Sequence, residues 1–99
     1  MKVIVKEHIC IVTKEPNDSK IYNESALLYQ VKNELIRQGY DVIKKLMWKD
    51  GHLVSDTQHY IRTRKEKDPK FMMIWDTSYA VRFSYEEYNK GELVLAIER

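Results

Sequence analysis

One segment of this chain sustains a helical hydrophobic period over its whole length, and segments that alternate or run continuously apolar enclose it on both sides. From about Asn23 to Gln38, Leu27, Leu28, Val31 and Leu35 recur at a spacing near 3.6, while Gln30, Asn33, Glu34 and Arg37 fall elsewhere. The spacing predicts an amphipathic helix. Asn23 is placed to cap it, Glu24 suits the positive end of the helix dipole and Arg37 the negative end, and Gly39 supplies a C′ residue. Tyr29 and Ile36, seven apart, lie to one side of the stripe and are expected to widen the buried face.

The remainder reads in the two-residue period of strands. Lys2 to Thr13 alternates and then becomes continuously apolar through Ile9-Cys10-Ile11-Val12, which predicts an interior strand with apolar residues on both faces. Lys14 to Ser19 carries a proline, an Asn-Asp pair and a serine, the chemistry of a turn. After Gly39, Val42, Ile43, Leu46 and Met47 have helix-like spacing, but the β-branched pair Val42-Ile43 favours a strand over Tyr40 to Trp48. Asp50-Gly51 is then the strongest short signal for a two-residue hairpin, with a return strand from Leu53 to Thr57. Gln58 to Lys65 alternates again, and Glu66 to Lys70 is a charged loop. Phe71 to Trp75 is an apolar strand, and Tyr79 to Tyr85 alternates with Tyr79, Val81, Phe83 and Tyr85 facing inward. Glu86 to Gly91 is a polar loop, and Leu93 to Ile97 closes the chain as a strand.

The fold expected is therefore α+β: one amphipathic helix packed on a mostly antiparallel sheet of about five or six strands, in the order β-α-β-β-β-β with room for one more. Ninety-nine residues, 43% hydrophobic and 32% charged, suit one globular domain spanning 1–99. The Met-Lys-Val-Ile-Val-Lys start has no secretion-signal pattern, and no apolar run approaches the roughly 20 residues that span a bilayer. A cytoplasmic location with no membrane partner is expected. Cys10 is the only cysteine, so it has no internal disulfide partner, and its apolar flanks predict a buried thiol.

Charge marks a candidate surface. Net charge is only +2, but residues 40–70 hold eight cations, Lys44, Lys45, Lys49, Arg62, Arg64, Lys65, Lys67 and Lys70, against five carboxylates. Arg62 and Arg64 share a strand face with Tyr60, while Lys44, Lys45 and Lys49 lie on the strand that the hairpin sets next door, beside Trp48. Such a surface offers cations to phosphates or carboxylates and rings for stacking. The candidate binding residues are Lys44, Lys45, Trp48, Lys49, Tyr60, Arg62, Arg64 and Lys65, the partner being a nucleic acid or an acidic protein surface. Asp56, Glu66 and Asp68 interrupt the patch, and Lys and Arg on a strand also serve simply to guard a sheet edge.

A second class of function rests on the aromatics. Tyr22, Trp48, Tyr60, Trp75 and Tyr88 sit beside turns or basic residues, and interface cores are enriched in such residues. By analogy, small chains without catalytic motifs, such as phage-encoded or other mobile-element inhibitors, act as inhibitors or adaptors on a larger host protein. Enzymatic chemistry has the thinnest basis. His52 and His59, near Asp50 and Asp56, are the sole basis for a metal-dependent, nuclease-like site. Seven residues apart, they would face opposite ways in one regular strand. No phosphate-binding glycine loop, nucleophile elbow or zinc-protease motif is present. The expectation is a non-enzymatic binding domain with no catalytic residues, metal or cofactor.

Overall fold

In a computed structural model, the described residues build eight strands and two helices. The structure describes residues 1–44, 47–55, 58–63, 71–75 and 83–98, with the backbone alone at 44, 47–49, 52–55, 58–60, 62, 63, 71, 72 and 98. The strands are β1 (Lys2–Val5), β2 (Ile9–Thr13), β3 (Tyr40–Lys44), β4 (Met47–Lys49), β5 (His52–Ser55), β6 (Gln58–Thr63), β7 (Phe71–Ile74) and β8 (Glu92–Glu98). The helices are α1 (Glu24–Arg37) and α2 (Ser84–Asn89). Six strands form one antiparallel sheet in the order β1-β2-β8-β7-β6-β3, and β4 and β5 form a separate two-stranded ribbon. This is a small α+β fold, as the periodicities predict.

Helix α1 forms where the 3.6 period lies. The Asn23 side chain accepts from the Ala26 N–H at 2.8 Å, and Gly39, at φ +98°, takes the left-handed position that ends the helix. Leu27, Val31 and Leu35 are fully buried, and Ile21 extends the buried stripe upstream. The widened face is only half realised: Ile36 is half-buried, but Tyr29 is 67% exposed. Stepping through the antiparallel pairs from β2 to β3 leaves those two strands parallel, so α1 is the crossover that spans the sheet between them. It packs against β1 and β3 at the sheet's two edges and against α2.

Several expectations need correction. Lys2 to Thr13 is two strands: the Lys6 N–H donates to the Ile9 carbonyl at 2.8 Å, and the chain turns through Glu7 and His8. That turn makes β1 an edge strand and leaves β2 interior. The long strand expected over Tyr40 to Trp48 is present as β3 and β4, and residues 45 and 46 between them lie outside the described residues. The return strand is His52–Ser55, and positions 56 and 57 of its expected span also fall outside them. The polar loop expected over Glu86 to Gly91 is mostly helix α2, which also takes Ser84 and Tyr85 from the expected Tyr79–Tyr85 strand. Ser84 is accordingly buried and Phe83 exposed, the reverse of the alternation; residues 79–82 and the Glu66–Lys70 loop lie outside the described residues. Trp75 and Tyr88, read above as candidate interface rings, are fully buried core residues.

Polar contacts fasten the helical layer. Asn89 clamps the loop before α1, accepting from the Ile21 N–H at 3.1 Å and donating to the Ile21 carbonyl at 2.5 Å. The Tyr88 hydroxyl donates to Asp18 at 2.9 Å, and Asp18 also accepts from the Glu15 N–H at 2.9 Å. The Met1 ammonium lies 2.5 Å from Asp18 and 2.9 Å from Glu15. This ammonium contact, with the Glu15 N–H and the Tyr88 hydroxyl, holds the Asp18 carboxyl down at about 2. Burial and the Asp18 carboxylate together push the Tyr88 hydroxyl up.

Candidate functional site

Two surfaces emerge from the register, one on the sheet and one at the hairpin. Because strand residues alternate between faces, the cross-strand partners sort the sheet into rows. On the helix side the rows are Val3-Val12-Leu93, Val5-Cys10-Leu95, Ile97-Met73 and Ile61-Val42. Nearly all of these residues are buried, Val5 being the half-buried exception at the β1 edge. Burial in this layer also pushes the Cys10 thiol up to about 12, which leaves it inert at neutral pH.

The opposite face has rows of similar chemistry and no covering layer among the described residues. Ile4, Ile11 and Val94 form one row; Ile9, Ala96 and Ile74 form the next, which continues to Gln58; Met72, Tyr60 and Ile43 occupy the third, with Glu98 at its β8 end. Val94 is 48% exposed and Ile43 37%, Ala96 is exposed, and Ile4, Ile9, Ile11 and Ile74 are half-buried. The molecule measures 43 × 34 × 19 Å, the thickness of one sheet with one helical layer. Charged rows close the apolar rows at both ends: Lys2, Thr13 and Glu92 at one, Arg62 and Asp41 at the other. The apolar rows, broken by the positions of Gln58 and Glu98, are thus rimmed by charged positions at both ends.

The hairpin is built as its sequence implies. Asp50 and Gly51 both have positive φ, +53° and +77°, the signature of a type I′ turn whose twist matches the strands it joins. Beyond the turn, Lys49 stands across from His52 and Trp48 across from Leu53. In the main sheet Lys44 stands across from His59, Tyr60 from Ile43 and Arg62 from Asp41. Tyr60 and Arg62 therefore occupy positions on the uncovered face, and Lys44 a position of the opposite face. Neither Tyr60 nor Arg62 has a lysine directly across from it on β3. Lys45, Arg64 and Lys65 lie outside the described residues. His52 and His59 belong to different ladders, and among the described residues no group of three His, Cys, Asp or Glu is placed to hold a metal ion.

Sequence reasoning missed the uncovered face. Its signal was the continuous apolar run of Ile9 to Val12, read above as an interior strand with apolar residues on both faces; in a two-layer fold one side of such a strand faces out. Of the five aromatics read above as candidate interface rings, Tyr22, 74% exposed with the Lys20 ammonium 5.6 Å from its ring centre, is the one whose described side chain stays at the surface. No described helix is long and apolar enough to cross a membrane. Comparison with known proteins finds no matching family model, no matching curated protein and no matching solved structure.

Proposed function

We propose that this chain is a non-enzymatic binding domain that docks onto protein through its uncovered sheet face, with the Asp50-Gly51 hairpin at the sheet's β3–β6 end. One observation carries the reading: apolar residues on five strands, Ile4, Ile9, Ile11, Ile74, Val94 and Ile43 among them, share a face that no described element covers. Water contact with that much aliphatic surface is unfavourable, and a protein partner relieves it. An inhibitor or adaptor acting on a larger protein has this form.

The test is affinity capture with the wild-type chain and with Val94→Lys as baits. The wild type retains a stoichiometric protein, its own copy included, and the variant loses it while its circular dichroism is unchanged. Equal recovery on both baits, or none on either, would remove this reading.

The β4–β5 ribbon supports a second reading. A two-stranded ribbon fits the major groove of DNA, and this one carries Lys49, with Lys44 at the neighbouring end of β3. Titration of labelled single- and double-stranded oligonucleotides at low salt decides it. Binding that weakens steeply with salt and with Lys44→Ala plus Lys49→Ala would favour the ribbon, and no binding at micromolar protein would eliminate it.

A further inference from the structure

We propose that a groove between α2 and the loop before α1 binds a free mononucleotide, its base against Tyr22 and Tyr85 and its phosphate on Lys20 and Lys90. The groove shares no residue with the uncovered sheet face, so the proposal stands or falls independently of the docking reading.

The groove follows from the Asn89 clamp. Asn89 takes both the N–H and the carbonyl of Ile21, at 3.1 and 2.5 Å, and so binds the loop to the end of α2. Ile21, 4% exposed, lies at the base of the cleft between them. The loop contributes Lys20 and Tyr22 to one side, and Tyr85, Glu86 and Lys90 line the other. The space between them is about 350 Å³. Small-molecule sites occupy roughly 300 to 1,000 Å³ and likewise combine apolar and aromatic linings with a few polar groups.

The rings set the shape of the ligand. Tyr85 is half-buried against the core and meets Phe83 edge-on, with ring centres 6.4 Å apart and planes at 73°. Tyr22 is 74% exposed, which leaves most of its ring surface open to a ligand. Two phenol rings on opposite sides of a cleft suit a flat aromatic group, and stacking of this kind accepts any base.

Charge selects among flat ligands. The Lys20 ammonium is held 5.6 Å from the Tyr22 ring centre, at the rim of the groove. Glu86 and Lys90 stand about one helical turn apart at the end of α2. Among the described residues Lys20, Glu86 and Lys90 make no ion pair. A neutral ring would leave both lysines unanswered, and a phosphate alone would leave the rings unused. A phosphate answers the lysines, and Glu86, a turn away from Lys90, accepts from an N–H of the base. A nucleotide carries ring, N–H and phosphate in one molecule of the size this groove holds.

Titration with adenosine 5′-monophosphate, followed by calorimetry and by NMR of the Ile21, Tyr22, Asn89 and Lys90 amides, tests the proposal. The nucleotide binds with submillimolar affinity and moves those amides. Tyr22→Ala weakens binding about tenfold, while Tyr22→Phe leaves it in place, because stacking needs the ring and not the hydroxyl. Lys20→Ala with Lys90→Ala weakens it about tenfold or more and reduces its salt dependence. Adenosine, which lacks the phosphate, binds at least about tenfold more weakly and does not respond to the lysine exchanges. Tyr22, Lys20 and Lys90 are all exposed, so circular dichroism is unchanged in these variants.

A nucleotide that moves none of those amides at several millimolar overturns the proposal, as does equal affinity for adenosine or binding unaffected by Tyr22→Ala. Inorganic phosphate that displaces the nucleotide at equal concentration marks an anion site without a ring and also overturns it. A 5′-phosphorylated oligonucleotide that binds about a hundredfold tighter through Tyr22 assigns the groove to a nucleic-acid strand, and the free nucleotide is then wrong.

Discussion

The two faces of the six-stranded sheet have almost the same amino-acid chemistry and opposite fates. Val12 and Leu95 on the helix side are buried at 0% and 5% exposure, while next to them in sequence Ile11 is half-buried and Val94 is 48% exposed. Hydrophobicity alone does not distinguish them. What differs is the covering layer: α1 and α2 close one face, and no described element closes the other. Apolar composition on a strand therefore reports what the strand is suited to meet, and only the topology says whether this chain supplies it.

The sharpest way to break the comparison is to place the same charge on adjacent residues. Val12→Asp puts a carboxylate with no partner among Val3, Cys10 and Leu93, at a cost of about 4 kcal/mol or more, enough to unfold a domain of ordinary stability. Ile11→Asp leaves its charge in water and costs about 1 kcal/mol, mostly lost strand preference. Urea denaturation followed by circular dichroism, at concentrations where the chain is monomeric, separates them. Equal destabilisation would mean that both faces are internal.

Truncation makes the same point with a smaller effect. Leu95→Ala removes buried methyl groups and leaves a cavity, costing about 2 to 4 kcal/mol. Val94→Ala, one residue away, costs less than about 1 kcal/mol. A shift in the urea midpoint for Leu95→Ala no larger than that for Val94→Ala would remove the distinction.

The covering layer can itself be loosened through Asp18, which joins the Met1 ammonium, the Glu15 N–H and the Tyr88 hydroxyl of α2. Its folded-state pKa of about 2 lies below the ordinary carboxylate value, so the carboxylate stabilises the fold fully above about pH 4. That contribution is lost as pH falls from about 4 towards 2. Asp18→Asn costs about 1 to 2 kcal/mol at pH 7, and its stability changes less steeply across the acid range than the wild type's. Parallel acid titrations would contradict the assignment.

How much of this was legible in the sequence depends on how local each signal is. Helix α1 and its Asn23 cap were readable because a 3.6 period over fourteen residues, ended by Gly39, has no competing interpretation. The Asp50-Gly51 turn was readable because two successive positive φ angles need those residue types. The turn at Glu7-His8 was not, since it contains no glycine, proline or asparagine and interrupts an otherwise continuous strand pattern. Helix α2 was missed because six residues hold less than two full turns, too few to establish a period against the alternation before it. For the candidate site, the sequence located the cations of residues 40–70 but not their partners. Register sets Arg62 opposite Asp41 and Lys44 opposite His59, and register depends on strands far apart in sequence. The uncovered face depends on the number of layers, which is a property of the whole chain.

The smallest effect separates the faces most cleanly. Threonine matches valine in shape and strand preference and differs by one hydroxyl, so the exchange asks only whether water reaches the position. At Val12 the hydroxyl enters a fully buried position between β1 and β8 and costs about 1 to 3 kcal/mol. At Val94 the same hydroxyl stays hydrated, and the monomer's stability changes by no more than about 0.5 kcal/mol. The docking reading proposed above adds a second expectation for that variant. Closing the face against a partner removes the water, so Val94→Thr weakens capture while leaving the monomer's urea midpoint in place. A midpoint shift that is the same at low and high protein concentration would show that Val94 is buried within the chain itself, and the contrast between the two faces would fail.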